Sequence, residues 1–284
     1  MAAPTLVDVA RQRIGAGLFS RVAGPDGSVS AARIHDTPGA RWFGPDRPIR
    51  RVHGDAAMFV GGLRALLLQS LHPLAMAAVS AHSGFRGDPW GRLQRTSEFV
   101  AVTTFGTAEH AEQAVRRVRG IHGKIHGTAP DGRDYRADDP HLLAWVHLAE
   151  ADSFLRAYQR YGAAPLDPDG CDAYLMDTAR VAAALGVPDP PRDRAELDEQ
   201  LAAYRSELKG TAQARATARF LLLNPPLPLV ARPPYAVLAA SAAAMLPVWA
   251  RWPLRLPYLP VTEATSVRVA GQCLVGGIRW AMRG

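Results

Sequence analysis

Polar chemistry concentrates in one stretch of the chain, which reads RLQRTSEFVAVTTFG (92–106), VRRVRGIHGKIHG (115–127) and DDPHLLAWVHLAE (138–150). Apolar residues recur in these segments at helical spacing, and glycine or proline marks the segment ends. An arginine, a threonine and two histidines interrupt the apolar stripes. Because a buried polar group needs a partner, the pattern predicts an all-α core that binds something in its interior.

Capping residues set the ends of three predicted helices in this stretch. Aspartate followed by proline opens the first and the third, because the aspartate accepts backbone hydrogen bonds and proline fits the first helical turn. A threonine caps the second, and glycine follows each helix as a stop. The predicted spans are 88–105, 107–126 and 139–161.

Helical patterns also dominate the rest of the chain. Residues 1–54 are predicted to form an irregular N-terminal arm with one short helix near residues 5–16, because glycine and proline recur there. A helix beginning at Asp55 should kink at Pro73, whose ring removes a backbone hydrogen bond, and end at Gly84. We find no alternating strand pattern of useful length, so residues 55–284 are expected to form a single multi-helix domain.

Bulk composition narrows the class of protein. The chain has 284 residues, of which 48% are hydrophobic, enough for a sizeable core. Its two cysteines are too few for a disulfide framework and too isolated for a zinc site, and the N-terminus lacks a signal-peptide pattern. A cytoplasmic protein is therefore expected. A nicotinamide or flavin is not, because no glycine-rich loop follows a strand.

The net charge of +7 is concentrated toward the C-terminus. From Thr211 onward the chain has eight arginines and a single acid, Glu263, in a segment rich in alanine, leucine, proline and tryptophan. Such a tail could pack as ordinary helices or rest on the inner surface of a membrane as a peripheral contact. Nucleic acid is not an expected partner, because the basic residues are scattered and almost all are arginine.

His122 lies on an apolar stripe with Ala111, Val115 and Val118, at the spacing of a buried helix face. A neutral histidine satisfied by a carbonyl is the ordinary interpretation. Glycines at 120, 123 and 127 favour instead the close approach of a flat, bulky group or of another backbone. The reason is that each glycine destabilises a helix by about 1 kcal/mol relative to alanine.

Two further helices carry polar residues on inward stripes. Arg92 could reach the surface or hold a buried anion, and Thr96 could bond to a carbonyl of its own helix. His147 and Glu150 lie three residues apart and point the same way. That pair could be a structural hydrogen bond, a general base with its orienting group, or two metal ligands.

A set of short motifs over most of residues 50–260 resembles one known family. The motifs are His72-Pro73, His82-Ser83-Gly84-Phe85, Arg92-Leu93-Gln94-Arg95-Thr96, Phe105-Gly106, Val118-Arg119 through His122, Asp139-Pro140, Trp145-Val146-His147, Tyr161-Gly162 and Leu246-Pro247. The family is that of the rubber oxygenases (latex-clearing proteins) and MpaB-type oxygenases. Each motif is short, but the combination is specific.

The resemblance implies a globin-like helical core that binds haem b, with the iron held by one histidine. The family histidine falls on His122, which becomes the expected iron ligand. In the rubber oxygenases an Arg-x-x-Lys-Thr motif lines the haem pocket, and its arginine and threonine fall on Arg92 and Thr96. Nearby arginines, Arg95 and Arg119, would suit the haem propionates. Arg92, Thr96 and His147 are the expected catalytic contacts.

The chain departs from the family pattern at two places. Arg95 replaces the motif lysine, which can occupy the distal iron site in some rubber oxygenases. Arginine stays protonated and is a poor ligand, so that closed state is not expected here. The glutamate proposed as a base in rubber cleavage has no clear counterpart near Ala81 and Ser83. Rubber is therefore not carried over as the substrate.

Three functional hypotheses follow. The first is a haem b-dependent oxygenase that acts with O2 on an apolar, terpenoid-like or lipid-like small molecule. The second is a non-haem iron or zinc enzyme, with ligands from His122 and His126, spaced i and i+4, and from His147 and Glu150. The third is a non-catalytic helical protein that binds a lipid or a partner through its basic tail.

Overall fold

The computed structural model of the chain describes residues 5–82 and 87–282. These residues form helices joined by short loops and one small hairpin. The α-helices are α1 (Leu6–Ala23), α2 (Gly27–His35), α3 (Pro48–His53), α4 (Met58–Gln69), α5 (Pro73–His82), α6 (Pro89–Phe105), α7 (Ala108–His122), α8 (Pro140–Tyr161), α9 (Pro168–Leu185), α10 (Arg194–Ala203), α11 (Ala212–Leu223), α12 (Arg232–Ala244), α13 (Val248–Leu254), α14 (Pro260–Thr262) and α15 (Arg268–Met282). The strands are β1 (His126–Thr128) and β2 (Asp134–Arg136), and 3₁₀ or π turns cover Tyr204–Ser206, Leu229–Ala231 and Glu263–Val267. The predicted all-α class is confirmed, whereas the globin-like arrangement stays a prediction.

Capping side chains begin the three central helices as the sequence predicts. The Asp88 carboxylate accepts from the backbone of Gly91 at the start of α6. Thr107 and Asp139 accept in the same way at the starts of α7 and α8. Each cap satisfies an N–H group that has no partner within its helix. These caps fix where the helices that carry the candidate residues begin.

A short hairpin replaces the predicted last turn of α7. The helix ends at His122 rather than His126, and β1 pairs antiparallel with β2 so that His126 lies opposite Arg136. Gly132 adopts a positive φ of 85° in the connecting turn. Tyr135 of β2 is buried in a small cluster with Ala77 of α5. This burial is a tertiary contact, which the local helical pattern does not contain.

The N-terminal segment is more helical than predicted. Besides α1, which is longer than the expected helix, α2 and α3 lie where we expected irregular backbone. Phe43, Ile49 and Val52 are buried in the main core together with residues as distant as Ile278. The division of the chain at residue 54 stays a prediction.

The pair α4 and α8 forms the centre of the core. Gly61 of α4 permits their close approach, because a Cβ there would meet Phe154 at 2.9 Å and Ala157 at 3.2 Å. Trp145 of α8 is fully buried, and its indole nitrogen donates to the carbonyl of Gln69 at the end of α4 over 3.3 Å. Full burial of large apolar side chains stabilises such a pair by about 1.5–3 kcal/mol each.

Pro73 makes the predicted break between α4 and α5. It is the first residue of α5, and the two helix axes differ in direction by 109°. The preceding residue, His72, is buried at the bend. The predicted end of this segment at Gly84 lies outside the described residues.

The basic C-terminal segment folds as helices packed on the core. Arg279 of α15 pairs with Asp55 over 2.8 Å, and Arg251 of α13 pairs with Glu263 over 2.6 Å. Within the described ranges no single helix is long and apolar enough to cross a membrane. Two sharply bent helix pairs, α4 with α5 and 229–244 with 248–254, meet the same criterion by length and composition.

Candidate active site

Two helical walls carry the candidate residues. α8 packs closely on α4 and α9, and α6 packs closely on α7, but in the described part of the chain α8 does not pack closely on either α6 or α7. The charges of Glu150 on α8 and Arg92 on α6 nevertheless influence one another. Both side chains are half-buried. An opposite-charge pair therefore links α8 to α6.

Glu150 is a carboxyl group that is hard to ionise. Burial raises its pKa, while the hydrogen bond from Gln69 and the positive charge of Arg92 lower it. The Gln69 side-chain nitrogen lies 3.2 Å from Oε1 of Glu150. Because burial is the largest of these effects, Glu150 holds a proton to higher pH than an exposed glutamate and is suited to proton transfer.

His147 lies one helical turn before Glu150, on the same face of α8. Its Nε2 atom is buried and has no hydrogen-bond partner among the described residues. Burial lowers the pKa of the ring to about 4, so the ring is neutral at pH 7. A buried, unpartnered nitrogen costs about 1–3 kcal/mol. Such a group calls for an explanation, and an ordered water, a metal or a ligand is the usual one.

His53 of α3 belongs to a closed hydrogen-bond network on the neighbouring side. Its Nδ1 lies 2.8 Å from Oγ1 of Thr104, and its Nε2 lies 3.3 Å from the hydroxyl of Tyr174. Burial lowers the pKa of His53 to about 3. Since both ring nitrogens have partners, His53 supports the interior and offers no ligand atom.

His122 lies at the C-terminal end of α7 and is half-buried. Burial lowers the pKa of its ring, and the nearby charge of Asp138 raises it. A neutral imidazole is the form that coordinates a metal. His122 therefore remains chemically suited to the predicted role of iron ligand.

The surroundings of the three glycines near His122 differ, and only one of them leaves no room for a side chain. A Cβ at Gly120 would meet nothing within 4 Å, and one at Gly123 would meet atoms only at 3.5 Å or beyond. A Cβ at Gly127 would lie 2.7 Å from the hydroxyl of Tyr135. One of the three is thus needed for a close approach, and the approaching group is a tyrosine side chain.

The remaining predicted site residues lie toward the surface. Thr96 is exposed, and Arg95 is exposed and pairs with Asp88 over 3.4 Å. Arg119 is exposed and donates to the carbonyl of Ala184 in α9 over 3.1 Å. Of the Arg-x-x-Arg-Thr segment, Arg92 is therefore the member that interacts with the wall formed by α8.

The ligand set of the non-haem hypothesis does not come together. His126 is exposed in β1, so it does not share a helix face with His122. Among the described residues, the side chains that converge with metal-ligand spacing are His72, His141 and Glu207. That cluster was not predicted from the sequence.

Sequence reasoning also missed Gln69 and Tyr174, which surround Glu150 and His53. Gln69 is a lone polar residue in the apolar helix MFVGGLRALLLQ, a signal that could have marked it. Tyr174 gave no signal of that kind. Burial and the charge of Glu150 raise its pKa well above 10.

Comparison with known protein families gave a match over most of the chain. The model of a family described as "ER-bound oxygenase mpaB/B'/Rubber oxygenase, catalytic domain" matches residues 50–280. Neither a search of curated proteins nor a search of solved structures gave a significant match. The matched range contains both walls of the candidate site.

Proposed function

The chain belongs to the family of MpaB and rubber oxygenase catalytic domains, and we propose that it is a haem b-dependent oxygenase acting on an apolar small molecule. The family is one of oxygenases, so a small-molecule substrate and O2 follow from membership. Haem, the residues that hold it and a terpenoid-like or lipid-like substrate are the proposed part. The observation that carries the proposal is the match of the oxygenase family model over residues 50–280. The buried, unpartnered Nε2 of His147, one turn before Glu150 on α8, supports it.

The chemistry of the candidate donors fits haem. Two neutral histidines, His122 and His147, offer ring nitrogens of the kind that bind haem iron. Arg92 offers a guanidinium for a propionate, because arginine recognises carboxylates in a bidentate manner. Bound haem would supply the activation of O2, while the protein binds and orients the substrate.

His122 is the proposed iron ligand. Its position matches the family histidine, and it lies on the same face of α7 as the buried residues Ala111 and Val115. Burial favours the neutral ring, which is the ligating form.

The face of α8 handles protons in this proposal. Glu150 holds a proton because burial raises its pKa, and Gln69 fixes the orientation of the carboxyl group. His147, neutral at pH 7, can accept or donate a proton at Nε2. The charge of Arg92 favours the carboxylate of Glu150 once the proton has left.

A visible spectrum tests the cofactor. The full chain, expressed with haem precursor and iron, is expected to show a Soret band. His122→Ala should lose this band, whereas His147→Ala should retain it and lose O2 consumption with terpenoid or lipid substrates. His126→Ala is the matched control, because His126 is exposed and lies outside the proposed site.

Three outcomes would change the proposal. Protein that stays colourless after reconstitution with haemin would overturn haem dependence. A Soret band kept in His122→Ala and lost in His147→Ala would move the iron ligand to α8. Haem binding without O2 consumption for any apolar substrate offered would contradict the oxygenase assignment for those substrates.

We also propose a peripheral membrane contact through the C-terminal segment. Large apolar side chains are unusually exposed there: Leu229 is 75% exposed, Val230 83% and Trp252 76%. Exposed arginines, Arg232 and Arg255 among them, accompany these residues. Apolar side chains beside basic ones are the composition that binds anionic lipid surfaces.

Vesicle sedimentation tests this contact. The protein should sediment with vesicles containing phosphatidylserine at low salt, and Trp252→Ala should weaken the association. Val29→Ala is the matched control, since Val29 is 70% exposed on α2. Equal sedimentation of both variants and the unaltered chain would refute a contact at this segment.

A further inference from the structure

Three distant segments bring ligand-type side chains together at one place. His72 lies at the bend between α4 and α5, His141 in the first turn of α8, and Glu207 directly after the 3₁₀ turn Tyr204–Ser206. One ligand atom from each residue lies within 4.8 Å of the other two. A backbone hydrogen bond from Lys209 to the carbonyl of Leu71, 2.8 Å long, holds the segments in register.

Glu207 faces both imidazole rings. Its two oxygens each lie 2.9 Å from Nε2 of His141. Oε2 also lies 3.4 Å from Nε2 of His72. Both histidines thus present the same ring atom, Nε2, to one carboxylate.

The hydrogen position on His141 follows from its contact with Tyr204. The Tyr204 hydroxyl donates to the carbonyl oxygen of His141 over 2.7 Å, so its only hydrogen is used. Nδ1 of His141 lies 3.2 Å from that same hydroxyl oxygen and must therefore donate to it. The neutral ring then has a lone pair at Nε2, directed at two carboxylate oxygens. Two acceptors 2.9 Å apart require a proton or a metal cation between them.

The surroundings of the ring resemble those of a metal-bound histidine. Such a histidine commonly donates its second ring N–H to a neighbouring group, which fixes the tautomer. Tyr204 supplies that acceptor, and its ring stacks on His141 with centroids 4.5 Å apart. The stacking and the hydrogen bond hold Nε2 of His141 toward Glu207.

His72 forms the buried side of the cluster. Its side chain is 1% exposed, and burial lowers the pKa of the ring, so the neutral form prevails. Without a metal, the amide of Ala75 points at Nδ1 over 3.4 Å and keeps the hydrogen on Nε2, facing Glu207. A metal at Nε2 moves this hydrogen to Nδ1. The hydrogen then faces the N–H of Ala75, and these two unpaired donors cost about 1–3 kcal/mol, which the bond to the metal must exceed.

Charge near the cluster acts in both directions. Glu207 supplies negative charge, which acts on both His72 and Tyr204. The charge of Arg133 acts on His72 and disfavours a further cation. Asp139 adds negative charge near Tyr204.

We propose that His72, His141 and Glu207 form a binding site for a divalent transition metal, with zinc as the preferred ion. Two imidazole nitrogens and one carboxylate are a ligand set that suits zinc and ferrous iron. The His141 and Glu207 side chains are 53% and 37% exposed, so solvent can complete the coordination. The ion would tie the bend after α4 to the start of α8 and to the segment after α10.

Metal content of the full chain tests the site. The purified protein, stripped with a chelator and dialysed against zinc chloride, is expected to retain one zinc ion per chain by elemental analysis. Zinc is counted independently of iron, so the result does not depend on whether haem is bound.

Four variants separate this site from others. His141→Ala and Glu207→Gln remove ligands and should weaken zinc binding in calorimetry more than about 100-fold, the upper range for loss of an outer partner. Tyr204→Phe removes only the outer partner and should weaken binding about 10- to 100-fold. His126→Ala, on an exposed histidine outside the cluster, should bind as the unaltered chain does.

Folding and zinc binding are distinguished by circular dichroism. In chelator His141→Ala should still unfold cooperatively, and added zinc should raise the melting temperature of the unaltered chain but not that of His141→Ala. Two results would overturn the site. One is an unaltered chain that binds zinc no more tightly than His141→Ala. The other is a loss in His126→Ala as large as that in Glu207→Gln.

Discussion

Arg64→Met removes a buried cation that joins the two central helices. Arg64 of α4 is 1% exposed and pairs with Asp152 of α8 over 2.7 Å. Its guanidinium also donates to Oγ of Ser153 over 2.7 Å and to the carbonyl of Met245 over 3.0 Å. Methionine replaces the aliphatic part of the side chain but supplies no donor.

The size of the loss follows from what remains buried. Removing one partner of a buried ion pair costs about 3–5 kcal/mol, because the other charge is left without compensation. Asp152 keeps a second partner, Arg156, whose side chain is 53% exposed, which reduces the cost. The lost bond to the carbonyl of Met245 adds about 1 kcal/mol. We expect the free energy of unfolding to fall by about 3–4 kcal/mol.

Urea denaturation followed by circular dichroism measures this loss. Arg33→Met is the matched control, because its pair with Glu98 has the same 2.7 Å separation but side chains 48% and 43% exposed. That variant should lose less than about 1 kcal/mol. The double variant Arg64→Met/Asp152→Leu should regain part of the loss, since no unpaired charge stays buried. A loss below about 1 kcal/mol in Arg64→Met would refute the reasoning.

Three further predictions concern titration and packing. Burial raises the pKa of Glu150, so above pH 4.5 the folded state binds more protons than the unfolded state, and stability falls as pH rises through the folded pKa. Glu150→Gln should lack this fall when urea denaturation is compared at pH 5 and 7.5. An equal fall in the variant and the unaltered chain would contradict the prediction. His53, with its pKa lowered from 6.5 to about 3, stabilises fully above pH 6.5 and loses that contribution on acidification. Between pH 6.5 and 4.5 the free energy of unfolding of His53→Gln should therefore fall by about 2 kcal/mol less than that of the unaltered chain. The same pH profile of the melting temperature in both proteins would refute this. A Cβ at Gly271 would lie 2.5 Å from the hydroxyl of Ser241, whereas one at Gly277 meets nothing within 4 Å. In thermal melts Gly271→Ala should therefore destabilise the protein by about 1–3 kcal/mol, and Gly277→Ala should stabilise it by up to about 1 kcal/mol. Equal melting temperatures of the two variants would refute this difference.

Helix ends were predictable where one residue supplies the cap. Asp88, Thr107 and Asp139 begin their helices as expected, because a cap depends on a side chain and a backbone a few residues away. The end of α7 was not predictable from local pattern. It depends on the burial of Tyr135 against α5, a contact between segments more than 50 residues apart.

The candidate site was predictable on one side only. The helical stripes identified Arg92, His147 and Glu150; Glu150 and His147 share α8, and the charge of Glu150 interacts with that of Arg92 on α6. They also identified Thr96, which is exposed, since a stripe cannot tell which part of a long helix face is covered. The residues of the cluster, His72, His141 and Glu207, come from three segments far apart in the sequence, so no local spacing predicts it.

The last turn of α4 links the two proposed sites. The carbonyl of Gln69 accepts from Trp145 of α8, and its side chain donates to Glu150, so this residue fixes α4 against α8 on the side of the candidate active site. Three residues later His72 enters the metal-type cluster with its ring packed near Trp145, 6.4 Å between centroids. An ion that fixed His72 would therefore restrain the same turn that orients Glu150. Coupling between two sites requires a shared element whose state both can bias. This turn is such an element, so zinc binding would affect proton transfer at Glu150 through it.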